Sequence, residues 1–390
     1  MIAIEMVVTS DNIDEARSTG ASINERSGAS ELELPDPRAD SVGATAPEFR
    51  MDPFSGEWVI IAGGRQSRPA LPQECPFCVG GLEAKDPYIV KAFTNRWPVM
   101  RSPNALGLGP EETAKAIEAL EARRSTYNGH LFDTVPAIGE AEVVLYSPDH
   151  DASLGNLSDA QLSSLFALWK ERTLALSSLD HVRYVLIFEN RGPEVGVTIE
   201  HPHGQIYAFP LVPPRIRREI ERASDLADRN RIRCITCEVA KLEGGGPRLV
   251  FEDDFTLAYV PYASAWPYAL YLLPKRHLGS IDQLENDEAA SLMKALRKAY
   301  AAADLIFDTP LPTMMAFLQR PVPKKQEESP VASWHLRVEI VSPMRKRGLL
   351  RYVAGAEVST ALLQNPVQPE AAASHWREAF QRVPSSRHAI

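Results

Sequence analysis

The residues able to do chemistry are paired cysteines and the histidines that follow them. All four cysteines lie in two Cys-x-x-Cys pairs, Cys75/Cys78 and Cys234/Cys237, and none is left over. Such a turn presents two thiolates from one knuckle, and a tetrahedral zinc ion needs two further soft or borderline ligands. For the first pair the candidates are His150, at the end of an expected strand, and His201, which opens His201-Pro-His203. Pro76 and Gly80-Gly81 suit a tight knuckle. The competing reading is a pair of buried cysteines acting as small hydrophobes. By repetition Cys234, Cys237, His277 and His335 offer a second set, although Trp334-His335 also fits a packed core histidine. Full ligand sets of this kind are structural, because catalytic zinc keeps an open position.

The elements that must hold these residues occur twice. In the first half a strand around Glu142–Tyr146 leads to Ser147-Pro-Asp-His150. A helix capped by Ser158 follows from Asp159, with Leu162, Leu165, Phe166 and Trp169 on one face, then the strand Tyr184–Phe188 and His201. In the second half strands around Thr256–Val260 and Tyr268–Leu273 lead to Leu273-Pro-Lys-Arg-His277. A helix over Asp287–Tyr300, a strand near Met314–Leu318 and His335 follow. The order Cys-x-x-Cys, strand, His, helix, strand, His recurs, which predicts an α+β fold of tandem repeats, each an antiparallel sheet with one long helix. The expected divisions are a disordered or loosely docked tail (1–45), two halves (46–215 and 216–365) and a C-terminal tail (366–390). Asp52-Pro-Phe-Ser-Gly-Glu57 sets a turn before the strand that begins at Trp58, and Pro321–Pro330 reads as a polar surface loop.

The chain has 390 residues, 44% of them hydrophobic and 24% charged, with a formal charge of −9. That length supports two domains or one large two-layered unit. Its acidity argues against coating nucleic acid or an anionic membrane, which takes a basic face, so any anionic ligand must be held by local donors. No run approaches the ~18 apolar residues of a membrane span, and the N-terminus lacks a basic region followed by an apolar one. The expectation is a soluble cytoplasmic protein, in which paired cysteines favour metal over disulfide.

The segment Phe188-Glu-Asn-Arg-Gly-Pro-Glu-Val-Gly-Val-Thr-Ile-Glu-His-Pro-His-Gly-Gln-Ile-Tyr207 carries the most information. It resembles the galactose-1-phosphate uridylyltransferase family, a branch of the histidine-triad-like nucleotidyl transferases, whose pattern is Phe-Glu-Asn, Gly-x-Ser, then His-Pro-His-Gly-Gln. The resemblance runs through Asp52-Pro-Phe-Ser-Gly-Glu-Trp-Val59, Arg65, Arg68-Pro, Phe93-Thr-Asn95 and Ser147-Pro-Asp-His150. It continues through Val260-Pro-Tyr262, Trp266-Pro-Tyr268, Leu273-Pro-Lys-Arg-His277 and Arg351–Glu357.

The resemblance implies tandem histidine-triad-like repeats with two structural zinc ions. It also implies ping-pong transfer of UMP between UDP-glucose and galactose 1-phosphate. His203 would be the nucleophile that is uridylylated, while His201 holds zinc; a neutral imidazole is a good nucleophile and leaving group for phosphorus. Pro202 is expected to stiffen the backbone and set the two imidazoles on opposite faces of a strand. Gln205, on the same strand face as His203, would donate to a non-bridging phosphate oxygen. Thr198, two residues after Gly196, takes the place of the family's phosphate-binding serine. Arg65 and Arg68 would neutralise the diphosphate, and Asn95 and Asn190 match positions lining the nucleotide pocket. The family further implies a homodimer in which the partner's segment Arg351 to Glu357, with Gln364 nearby, completes each site.

Three departures bear on substrate. Glu219 matches the Glu of an additional metal site found in some relatives, but Leu318–Arg320 offers no His and Arg337 stands where another is expected, so no such site is expected here. The second Cys-x-x-Cys resembles the two-zinc branch, which includes plant ADP-glucose phosphorylase. Arg96, Glu200 and Ala356 replace family residues bordering the nucleotide and sugar pockets. A phosphorylase of a nucleoside-diphosphate sugar, or a nucleotidyltransferase for another sugar 1-phosphate, is therefore a competing reading. A zinc-stabilised nucleotide-binding protein without catalysis is a third, against which intact His203 and Gln205 weigh.

Overall fold

The computed structural model describes residues 46–65, 74–122, 131–230, 232–323 and 334–384. The expected N-terminal tail, Arg68 and residues 324–330 of the proline-bounded loop lie outside the described residues. The first half contains β1 (Glu48–Met51), β2 (Trp58–Ile61), β3 (Lys91–Thr94), α1 (Pro110–Glu121), β4 (Thr134–Pro136), β5 (Glu140–Leu145), α2 (Asp159–Ser177), β6 (Tyr184–Arg191) and β7 (His203–Phe209). Helices α3 (Pro214–Asn230) and α4 (Ile235–Glu243) lead into β8 (Leu249–Glu252), β9 (Thr256–Tyr259), β10 (Leu270–Pro274), α5 (Asn286–Ile306), β11 (Thr313–Leu318) and β12 (Arg337–Val341). The hairpin of β13 (Met344–Lys346) and β14 (Leu349–Leu350), then α6 (Gly355–Thr360) and α7 (Pro369–Arg382), follow.

The two halves build one sheet. Nine strands pair antiparallel in the order β3-β5-β7-β6-β11-β12-β10-β9-β8. From the centre outward the sequence β6-β7-β5-β3 is matched by β11-β12-β10-β9, so the repeat inferred from the Cys, His and helix order is an inverted copy across the β6/β11 seam. That seam runs in register from Thr313 opposite Arg191 to Phe317 opposite Ile187. The halves therefore share one sheet rather than carrying one each, and the described residues form a single compact unit.

Helix α2 starts where its cap chemistry says it should. Ser158 Oγ accepts the Gln161 N–H at 3.2 Å while Gln161 Oε1 accepts the Ser158 N–H at 3.0 Å, which satisfies two otherwise orphaned donors. Its buried face, Leu162, Leu165, Trp169 and Leu176, meets Leu292, Leu296, Ala299 and Tyr300 of α5 over one side of the sheet. Trp169 is fully buried, edge-on to Tyr146 and Phe317; removing so large a side chain costs about 3–5 kcal/mol. The segment 366–390, expected as a tail, instead supplies α7. Ala372, Ala373, Trp376, Ala379 and Phe380 of that helix are buried in the same layer, because their spacing gives it an apolar stripe.

The opposite side of the sheet carries the chemistry. The small sheet β2-β1-β4, the two cysteine turns and helices α3 and α4 lie against it. Among the described residues no helix is long and apolar enough to cross a membrane.

Candidate active site and metal centres

Each cysteine turn is closed by its own backbone. Around Cys75 and Cys78, Gly81 N–H donates to Cys78 O at 2.8 Å and Glu83 N–H to Pro76 O at 2.9 Å. A Cβ on Gly81 would stand 2.6 Å from Cys75 O, so only glycine permits the turn to fold this tightly. His150 leaves the end of β5 and His201 precedes β7, which brings both imidazoles to the turn. Cys78 Sγ lies 3.5 Å from His150 Nδ1 and 3.7 Å from His201 Nδ1. In the second half Cys237 Sγ lies 3.5 Å from His277 Nδ1 and 3.3 Å from His335 Nδ1, and Cys234 Sγ 3.9 Å from His335 Nδ1. Within each set all four ligand atoms fall within 4.8 Å of one another. A tetrahedral zinc ion with ordinary Zn–S and Zn–N bonds separates such ligands by about 3.6 Å, so both sets fit one.

The outer contacts repeat as well. His201 Nε2–H donates to Ser147 O at 2.8 Å, and His335 Nε2–H donates to Pro274 O at 2.8 Å. Each acceptor lies at or just beyond the end of the strand beside the histidine, and each bond leaves Nδ1 as the lone-pair nitrogen facing the cysteines. Burial holds both imidazoles neutral: it lowers His201 and takes His335 down to about 4. Burial also pushes the Cys78 thiol up, and that of Cys237 to about 12; a bound cation supplies the charge that lets them ionise. Trp334-His335 is thus both packed and aimed at Cys234 and Cys237. Among the described residues these two sets are the only groups arranged to hold a metal. Glu219 is instead taken by Arg337 at 2.6 Å and Arg215 at 3.1 Å, while Glu339 pairs with the same two guanidiniums.

Between the cysteine turn and the seam lies the open face of β7. Its residues alternate: Gly204, Ile206 and Ala208 are buried toward the helices, while His203, Gln205, Tyr207 and Phe209 are half-buried on the other side. Two corrections follow for His-Pro-His. In a continuous strand His201 and His203 would share a face, since the period is two. The strand begins only at His203, and His201-Pro202 form a bend, so it is the bend that delivers one imidazole to the cysteines and leaves the other on the half-buried face of β7. His203 Nδ1 lies 2.8 Å from His201 O, which fixes the hydrogen on Nδ1 and leaves Nε2 with the lone pair. Phe77, between the two cysteines, stands edge-on to the His203 ring with centroids 5.1 Å apart.

Gln205 is oriented from behind. Its Oε1 accepts from Asn95 Nδ2 at 3.3 Å and Tyr207 Oη–H at 3.2 Å, so its NH2 group faces away from them with two hydrogens to donate. Asn95 is held by its own Oδ1, which accepts the Trp97 N–H at 2.9 Å. The Arg65 guanidinium faces the Tyr207 hydroxyl. Asn190 lies two residues past Phe188, which pairs with Gln205, and so on the same face. Gly196, at φ +85°, turns the loop that carries the exposed Thr198 toward His201. Beside His203, a Cβ on Gly204 would stand 2.0 Å from Tyr146 Oη. Phe77 and Tyr207 escape sequence reasoning because aromatic residues in a knuckle and in a strand look like packing; Tyr207 is nonetheless readable from its period-two relation to His203 and Gln205.

The remaining candidates form a brace within the chain. Arg351 and Glu357, both buried, pair with each other. Glu357 also accepts the Gln364 N–H at 2.8 Å and the Ala354 N–H at 3.1 Å, bonds that hold its carboxyl below the usual range. Arg351 donates to Gln364 O at 3.0 Å and covers the Trp266 ring at 4.6 Å. Their side chains are spent on shaping the segment, while Tyr352 and Val358 are exposed along it. Arg96 is likewise turned away, in a buried pair with Glu83 at 2.5 Å.

A duplicated antiparallel sheet, a Cys2His2 set in each half and one lone-pair histidine at the head of a central strand together define a histidine-triad-like nucleotidyl transferase. Residues 39–213 match the family described as galactose-1-phosphate uridyl transferase, N-terminal domain, and residues 235–386 the corresponding C-terminal domain. The chain belongs to the galactose-1-phosphate uridylyltransferase family. It is 37% identical to a galactose-1-phosphate uridylyltransferase of Thermotoga maritima over 85% of this chain and 98% of that one. It is 26% identical to an ADP-glucose phosphorylase of Arabidopsis thaliana over 87% and 95%. A solved uridylyltransferase structure superposes with a TM-score of 0.74 at 30% identity, covering 87% of this chain and all of the other.

Proposed function

We propose that the protein moves UMP between UDP-glucose and galactose 1-phosphate through a covalent uridylyl-histidine at His203. The observation that carries this reading is the bond from His203 Nδ1 to His201 O at 2.8 Å, because it places the hydrogen on Nδ1 and so leaves the Nε2 lone pair for attack on phosphorus. In the first displacement Nε2 attacks the α-phosphorus of UDP-glucose, the bond to the departing oxygen breaks, and glucose 1-phosphate leaves with that electron pair. In the second, a phosphate oxygen of galactose 1-phosphate attacks the same phosphorus and the imidazole leaves neutral. Catalysis here is positioning and charge stabilisation. The Gln205 amide donates to a non-bridging oxygen, Arg65 and Arg68 offset the diphosphate charge, and Thr198 and Asn190 border the nucleotide.

Zinc suits both Cys2His2 sets and would be structural, fixing the knuckle that carries Phe77 and the bend that aims His203; no step passes through it. The exposed Tyr352, Val358 and Leu362 support a homodimer built on this segment, with the Arg351–Glu357 pair setting its shape. Reduced thiols serving as metal ligands accord with a cytoplasmic location.

A second reading, phosphorolysis of another nucleoside-diphosphate sugar, is favoured by one observation. Arg96, beside Asn95, is withdrawn into its pair with Glu83 and leaves no acid where some relatives carry Asp. An exchange assay across nucleotide sugars and sugar 1-phosphates tests the choice. Fastest exchange with UDP-glucose and galactose 1-phosphate supports the first reading, and dependence on inorganic phosphate with an adenine nucleotide sugar supports the second.

A further inference from the structure

On the helical side of the sheet, at the opposite end of β6 from Asn190, lies a cavity of about 120 Å³ lined by Thr173, Ser177, Val185, Asp282, Gln319 and Arg320 among others. That volume is several times the minimum that one water needs, so a small ion fits. Two of its lining groups are buried donors with no partner among the described residues. Gln319 is 1% exposed, and its Oε1 accepts the Ile281 N–H at 3.1 Å, which makes Nε2 the free end; that atom has no partner among the described residues. Thr173 Oγ1 is buried and unpartnered as well. Buried polar atoms are rarely left this way, because each gives up its water without compensation.

The third donor is a seated cation. Arg320 N–H donates to Gly279 O at 2.8 Å, and the Arg320 side chain lies where a Cβ on Gly279 would be, with Cδ 2.6 Å from that point. The guanidinium has no ion pair among the described residues. Asp282, the one carboxylate in the lining among the described residues, accepts from the Ser280 hydroxyl.

We propose that this cavity binds a small oxyanion, a carboxylate or a phosphate, held by Arg320, the Gln319 amide and the Thr173 hydroxyl. The ligand needs acceptors and no donors, since the unsatisfied groups are an amide N–H, a hydroxyl and a guanidinium. A single negative charge fits best, because Asp282 offsets part of the cation's field. The site lies on the face of the sheet away from His203 and does not depend on the reaction assigned to it.

Crystals of the full chain soaked in selenate, as a phosphate analogue, and in bromoacetate locate the ligand by anomalous scattering, and titration calorimetry with inorganic phosphate and acetate measures it. The expected result is a peak between Gln319 Nε2 and Arg320 in at least one soak. A selenate peak identifies phosphate chemistry, and a bromoacetate peak identifies carboxylate chemistry. Affinity should fall at least tenfold in Arg320→Gln and severalfold in the isosteric Thr173→Val. Only water-sized density in both soaks, or binding of both anions unchanged in Arg320→Gln, overturns the proposal.

Discussion

His203 and Arg337 hold the same place in the two halves. Each is the first residue of its strand, two residues after a histidine whose Nδ1 faces a cysteine pair, and each is followed two residues on by a polar partner, Gln205 or Glu339. In the first half the position carries an imidazole with its lone pair on Nε2, on the half-buried face of β7. In the second it carries a half-buried guanidinium paired with Glu219 and Glu339. The duplication thus repeats the Cys2His2 set but not the histidine that follows it.

The orientation of Gln205 depends on Tyr207. Tyr207→Phe removes one of the two donors to Gln205 Oε1 and lets the amide turn. A loss of about 1.4 kcal/mol of transition-state stabilisation lowers kcat about tenfold. Steady-state kinetics should show this fall in kcat with a nearly unchanged KM for the sugar phosphate; an unchanged kcat would remove Tyr207 from the positioning of the amide.

Gly204 is required by the ring behind it. Gly204→Ala meets Tyr146 Oη and also Phe188 O, the latter 2.9 Å from the added carbon. Overpacking of this kind costs about 1–3 kcal/mol. Chemical denaturation should register that loss, and Tyr146→Phe in the same chain should recover part of it. Equal stability of Gly204→Ala and the parent would contradict the packing described.

Behind the same strand, burial raises the Glu189 carboxyl to about 8, against the opposing pull of Arg191. The folded chain then holds this proton to higher pH than the unfolded chain does. Its contribution to stability is complete below about pH 4.5 and is lost as pH rises through about 8. Within that window stability should fall by up to about 1.4 kcal/mol per pH unit from this group. In Glu189→Gln that component of the slope should vanish. Denaturation curves between pH 5 and pH 8 that are parallel for the two proteins would rule out a proton on Glu189.

Two metal sets predict about two zinc ions per chain by elemental analysis. Cys237→Ser should lower that to about one and leave the first set filled, whereas Cys78→Ser should also disturb Phe77 and so the His203 ring it packs against. One ion in the parent would remove the second site, and none would remove both.

Much of this was legible because metal chemistry is local. A Cys-x-x-Cys turn, a histidine after a strand and a capped helix each announce themselves within a few residues, and Ser158 caps α2 as its spacing predicts. Alternation also told Gln205 from Gly204. The expectation that His201 and His203 take opposite faces of a strand ran against that rule, which puts i and i+2 on one face; they part because His201-Pro202 form a bend that ends before the strand begins. Long-range pairing was not legible. Nothing near Arg351 says that its guanidinium will be used by Glu357, and nothing in β6 or β11 says that they will join the halves into one sheet. Helix α7 left a readable stripe in Ala372, Trp376 and Phe380, obscured by its place at the end of the chain.

The central claim is a covalent bond between His203 and UMP. Incubation of the zinc-loaded protein with UDP-glucose, without acceptor, followed by intact mass measurement, tests it most directly. The account predicts one added UMP per chain, discharged by galactose 1-phosphate and absent in His203→Asn. No added mass with UDP-glucose or any other nucleotide sugar, or an adduct that persists in His203→Asn, would contradict it.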